Sequence, residues 1–145
     1  MTPLLESGQV ELVTGEKEVA PGVWVEHTGG HTRGHQVVRL VSGGEEAVYA
    51  GDLVPTSAHL KVNWLMAWDM YPEAAWERKK RLLETAARRG MLVFFSHDPH
   101  LAATAVVRER PGAYGVDVER AVKAEPWSNA AGRSRTYSSS GGREP

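Results

Sequence analysis

Histidine placement constrains this chain more than any other feature: three of its six histidines fall in the nine residues His27-Thr28-Gly29-Gly30-His31-Thr32-Arg33-Gly34-His35. Histidines four apart in a glycine-rich loop suit a metal ion, because neutral imidazole is a versatile ligand and glycine lets the backbone bend sharply around it. The 145 residues hold no cysteine, which excludes disulfides and thiolate ligands and leaves imidazole and carboxylate. A formal net charge of -1 argues against a nucleic-acid partner. No apolar run approaches the roughly eighteen residues of a membrane span, and the start has no basic, apolar leader pattern, so a cytoplasmic location with no membrane association is the expectation.

The rest of the chain reads as an α/β domain over residues 1–124 with a flexible Ser/Gly/Arg-rich tail over 125–145. A short β-like run at Val10–Val13 precedes Val23-Trp24-Val25, and the histidine loop follows directly. Gln36–Val41 and Glu46–Ala50 flank Ser42-Gly43-Gly44-Glu45, a hairpin signal because glycine supplies the positive φ of a tight reversal. Strand arithmetic across that turn sets His35 opposite Asp52. An irregular, tryptophan-bearing stretch, Leu53–Tyr71, has the composition of a covering loop. Pro72 opens a helix to about Arg89, stopped by Gly90, whose basic cluster Arg78-Lys79-Lys80-Arg81 reads as a solvated face because acidic residues interrupt it. Met91–Phe95 reads as a strand buried on both faces and ends in Ser96-His97-Asp98-Pro99-His100. A hairpin of Ala103–Arg108 and Ala113–Val118 extends the sheet, with a helical turn expected within Val116–Lys123.

Strand, helix, strand is a crossover that makes the second strand parallel to the first, so His97 emerges at the sheet end that carries Asp52. His31 sits just beyond another strand at that edge. Two imidazoles and a carboxylate form a partial ligand set for Zn²⁺, Mn²⁺ or Fe²⁺, in which a carboxylate can bridge two ions. His35 is read as a residue behind the ligands that fixes the loop. His59 either reaches the site from the covering loop or is a structural histidine, and Trp64 and Trp68 either line a substrate pocket or pack near the helix start.

At Thr28-Gly29-Gly30-His31-Thr32-Arg33-Gly34-His35, Gly51-Asp52 and Ser96-His97-Asp98 the chain resembles the metallo-β-lactamase-fold hydrolases, over about residues 5–120. Gly29 stands where many members have proline. The resemblance implies half of an αββα sandwich, a mixed β-sheet with one major covering helix. It implies one or two zinc ions, with His31 a ligand of one metal, Asp52 the bridging catalytic carboxylate and His97 a ligand of the second. The implied activity is hydrolysis of a small-molecule ester, thioester or lactone by a metal-activated water. Gly51-Asp52-Leu53-Val54-Pro55, His59 and Phe94-Phe95-Ser96-His97-Asp98-Pro99 point to the lactonase-like and glyoxalase-II-like branch, although Pro55 stands where some lactonases carry a substrate-contacting tyrosine.

The family's His-x-His-x-Asp-His signature occurs nowhere in the sequence. The expectation is therefore a truncated form with an incomplete metal site, prone to self-association or to association with a missing N-terminal half. The alternative is a non-catalytic αβ remnant acting as a dimerising or partner-binding module.

Overall fold

A computed structural model of the chain describes residues 2–124, so the tail expected over 125–145 lies outside the described residues. A short helix, α1 (Thr2–Glu6), is followed by four antiparallel strands: β1 (Glu16–Ala20), β2 (Val23–His27), β3 (Gln36–Ser42) and β4 (Glu45–Tyr49). Two 3-10 turns, Gly51–Leu53 and Ser57–Leu60, lead to the long helix α2 (Pro72–Arg89). Then come β5 (Leu92–Phe94), β6 (Leu101–Arg110), β7 (Ala113–Val116) and β8 (Val122–Lys123). The strands lie in the order β1-β2-β3-β4-β5-β6-β7, with β8 also on β6, and β4–β5 is the parallel pair that the crossover requires. This mixed sheet with one main helix is the α/β architecture that the sequence resemblance implies, and no helix among the described residues is long and apolar enough to cross a membrane.

Local chemistry explains most of these boundaries. Gly43 and Gly44, at φ 59° and 86°, make the two-residue reversal that pairs Ser42 with Glu45. Pro72 stands at the first turn of α2, where its missing N–H costs nothing, and Gly90 ends the helix at φ 64° with its N–H on the Ala86 carbonyl. Two expected elements do not form. Val10–Val13 forms no strand; the sheet edge is β1, whose charged, mostly exposed residues carry no apolar alternation because backbone pairing with β2 holds it. Within Val116–Lys123 the chain turns at Asp117, whose carboxylate accepts the Glu119 N–H at 3.0 Å, and then pairs as β8 with β6, satisfying backbone groups at Leu101–Ala103 that a helical turn would leave open.

The core lies between one sheet face and α2: Val37, Val48 and Val93 cluster with Ala75, Leu83 and Ala86. The opposite face is apolar as well. Register places Val23, Leu40, Ala47, Leu92 and Ala105 in one row across five strands, and Val25, Val38, Tyr49, Phe94 and Ala103 in the next. Leu40 and Tyr49 are exposed and Leu92 and Phe94 only half-buried, so β5 is not covered on both sides as its composition suggests. At β6 that face is closed, with Ala103 and Ala105 buried, and its open part runs over β2 to β5.

Lys79 corrects the reading of a solvated basic cluster. It lies on the α2 stripe with Ala75, Leu83 and Ala86 and is 1% exposed. Burial, partly opposed by the charge of Asp69, pushes its ammonium down from 10.5 to about 8. Between those values the native state has released a proton that the unfolded chain still holds, so stability rises with pH across that window, on the order of 3 kcal/mol in all. Denaturant titrations at pH 8 and pH 10 check this; the rise should vanish in Lys79→Met, and a rise that persists in the variant disproves the assignment to Lys79.

Candidate metal centre

The histidine loop joins β2 to β3 and closes on itself, because the N–H groups of Thr28 and Gly29 both donate to the His35 carbonyl, at 2.9 and 3.1 Å. Its tip is pressed onto the start of α2. Gly30 has φ 85°, and a Cβ there would lie 2.7 to 2.9 Å from the Cα, N and Cβ of Ala75, so only glycine fits. From that tip the ring of His31 turns toward the end of β4, where Asp52 sits in the first 3-10 turn.

His31 Nε2 lies 3.4 Å from Asp52 Oδ2, and His97 Nε2 lies 3.0 Å from Asp52 Oδ1. One carboxylate thus takes a different histidine on each oxygen. Ser96 Oγ donates to the Gly51 carbonyl at 3.0 Å, and the His97 N–H to the Pro55 carbonyl at 2.9 Å, which ties the end of β5 to the Asp52 turn. The three side chains grade from enclosed to open: His31 is 13% exposed, Asp52 37% and His97 64%. A small molecule could reach the cluster from the His97 side.

Asp69 completes the arrangement, and the sequence reading passed it over. Its carboxylate, 4% exposed, accepts from His31 Nδ1 at 2.9 Å, and its other oxygen accepts the Met66 N–H at 3.0 Å. A carboxylate can only accept, so Nδ1 carries the proton and a neutral His31 keeps its Nε2 lone pair facing Asp52. Two acceptors confronting each other at 3.4 Å require a proton or a cation between them. The only sequence signal for Asp69 is an acidic residue in a loop of tryptophans, which by itself points to no particular partner.

His35 lies one layer behind. Its Nε2 accepts the Asp52 backbone N–H at 3.1 Å while its Nδ1 contacts Thr28 Oγ1 at 2.6 Å. An Nε2 that accepts fixes the Nδ1–H tautomer, and burial followed by the neighbouring His31 pushes the His35 pKa down, in keeping with a neutral ring. His59 stands apart: Thr56 Oγ1 holds its Nδ1 at 2.8 Å, and no described hydrogen bond joins it to Asp52. Trp64 and Trp68 are 50% and 67% exposed on the loop that carries Asp69, with Lys61 Nζ 4.1 Å above the Trp64 ring. Beside His97, Asp98 is subject to two opposed effects. Burial raises its pKa, but hydrogen bonds from the Ser57 side chain and from the N–H groups of Ser57, His100 and Leu101 outweigh it and hold the carboxyl at about 2. Asp98 is thus a turn anchor, and it brings the second 3-10 turn onto the β5 end.

The donor set fits a divalent transition ion. Ligand bonds of about 2.0 to 2.2 Å in tetrahedral array separate neighbouring donor atoms by roughly 3.3 Å, close to the 3.4 Å between His31 Nε2 and Asp52 Oδ2. No three His, Asp or Glu side chains among the described residues gather around a single point. The geometry is a line, imidazole to carboxylate to imidazole, offering one nitrogen and one oxygen to each of two positions.

A family model described as the metallo-beta-lactamase superfamily matches residues 2–97. An N-acyl homoserine lactonase from a Bacillus species is 31% identical over 102 residues, which is 66% of this chain and 38% of that protein. Among solved structures, a probable metal-dependent hydrolase from Staphylococcus aureus is similar with TM-score 0.66 and 31% identity, over 77% of this chain and 41% of that one. An N-acyl homoserine lactone hydrolase with N-hexanoyl-L-homoserine at its catalytic metal centre is similar with TM-score 0.54 and 28% identity, over 61% of this chain and 35% of that one. The chain spans about two fifths of the length of the first two relatives.

Proposed function

This chain belongs to the metallo-beta-lactamase superfamily, and from that membership we propose that it supplies the His31–Asp52–His97 side of a zinc-dependent hydrolase site acting on small esters, thioesters or lactones. One observation carries the reading: the Nε2 of His31, its Nδ1 occupied by Asp69, faces a second carboxylate across 3.4 Å. Zinc bound there would supply Lewis acidity, lowering the pKa of water to about 7 and polarising a carbonyl oxygen. The protein's part is to hold the donors. Asp69 fixes the His31 tautomer, His35 steadies the Asp52 backbone, and the turn anchored by Asp98 holds His97 in place. Trp64 and Trp68 offer exposed apolar surface, on the loop that carries Asp69, for the acyl part of a substrate. The likeness to the Bacillus lactonase supports a lactone or related ester, while Pro55 in place of tyrosine argues for a different set of substrate contacts.

With one imidazole and one carboxylate oxygen per position, the remaining ligands come in this reading from a His-x-His-x-Asp-His segment outside these 145 residues. The part of the apolar rows left open over β2 to β5 is the surface on which a segment with its own apolar sheet, or a second copy of this chain, would pack. Equilibrium dialysis against Zn²⁺ with chelator competition tests the site. The chain should take up zinc weakly, and His31→Ala should weaken uptake at least tenfold. Uptake that is identical in the variant sinks the proposal and leaves the non-catalytic module.

A further inference from the structure

We propose that Lys79 is a positioning residue for this site: from within α2 it clasps the Trp64 carbonyl and so holds the segment 64–71, with Asp69 in it, against the histidine loop. Lys79 is 1% exposed, and its Nζ donates to the Trp64 carbonyl. An ammonium is costly to bury without a partner, so its retention on an otherwise apolar helix stripe calls for a reason. That reason lies in the segment it holds. Trp64, Trp68, Met70 and Tyr71 are all exposed, and Leu65 is the segment's apolar side chain that packs partly against the core, so apolar burial holds this stretch at a single point. Backbone bonds hold its far end, where Met70 N–H donates to the His31 carbonyl at 3.0 Å and Tyr71 N–H to the Gly30 carbonyl at 2.9 Å. In the middle, Asp69 and Met66 bind each other through two hydrogen bonds of 3.0 and 3.1 Å. Lys79 fastens the near end, and the nearby Asp69 is the carboxylate whose charge favours the ammonium. Released at Trp64, the segment would keep the Leu65 packing and the Trp64 N–H bond to the Lys61 carbonyl but lose its hydrogen bond to α2, so Asp69, and through it the His31 ring, would be held more loosely.

The inference rests on the proposed metal site for its zinc readout but not for its exchange readout, so the two can fail separately. Amide hydrogen exchange on the metal-free protein compares wild type with Lys79→Met and Lys79→Arg. In Lys79→Met, protection at Met66, Met70 and Tyr71 should fall at least tenfold while Val48 and Val93 in the sheet keep theirs. Zinc affinity should fall about tenfold, the usual scale for a group that orients a ligand through another. Lys79→Arg, which retains a donor, should restore both. Unchanged protection at Met70 and Tyr71 in Lys79→Met overturns the proposal. So does a loss shared equally by Val48 and Val93, which would make Lys79 an ordinary core residue. Lys79→Gln carries the same comparison if the methionine variant does not fold. Should wild type bind no zinc, the metal site falls and the exchange pattern still decides the clasp.

Discussion

Asp52→Ala should lower zinc affinity by a factor of a hundred or more while leaving the fold nearly untouched. The reason is the carboxylate's double engagement: Oδ2 faces His31 and Oδ1 faces His97, so one truncation removes an oxygen from both candidate ion positions. What remains is a pair of imidazoles with no shared acid between them, and a single imidazole is a poor zinc site at neutral pH. The fold should tolerate the change because the side chain is 37% exposed and its further contact, Ser96 Oγ at 3.4 Å, is long. The structural tie of this turn is the Asp52 backbone N–H on His35, which alanine retains. Stability should therefore shift by less than about 1 kcal/mol. Asp52→Asn keeps one acceptor and should fall between the two. Chelator competition combined with thermal unfolding separates these outcomes, and affinity that survives Asp52→Ala would remove the carboxylate from the site.

Gly30→Ala should produce the largest loss of stability of any single methyl addition in the histidine loop, about 3 kcal/mol. Two costs add: a side chain at φ 85° and a Cβ under 3 Å from Ala75, each typically 1 to 2 kcal/mol or more. The obstructing atoms include backbone N and Cα of α2, which cannot rotate aside as a side-chain tip would. Relief requires the loop to lift from the helix, and that breaks the Tyr71–Gly30 and Met70–His31 backbone bonds. The melting temperature should drop by roughly 10 °C, with zinc affinity falling alongside. Gly34→Ala is the control in the same loop, since nothing lies within 4 Å of its added Cβ. Equal melting temperatures for the two variants would contradict the packing argument.

These residues show how far the chain can be read without coordinates. The meeting of His31, Asp52 and His97 followed from countable features: a Gly43-Gly44 reversal, a proline-started and glycine-stopped helix, and the handedness of a crossover. Lys79 was legible too, in principle. It lies four residues from both Ala75 and Leu83, and reading the run 78–81 by charge rather than by helical spacing hid that. The strand β1 was not legible, because an edge strand held by backbone bonds needs no side-chain pattern.

By itself, then, the sequence determined the central elements from β2 to β7 and their order, β1 and β8 excepted, since propensity, caps and turns act over a few residues and leave local marks. It also determined the donor types, because a chain without cysteine has only imidazole and carboxylate to offer. Tertiary structure alone decided that Asp69 stands behind His31, 38 positions away, and that Lys79 reaches Trp64. Both contacts depend on how an irregular loop settles on a helix, and loop paths are set by many weak long-range bonds that no short window of sequence records.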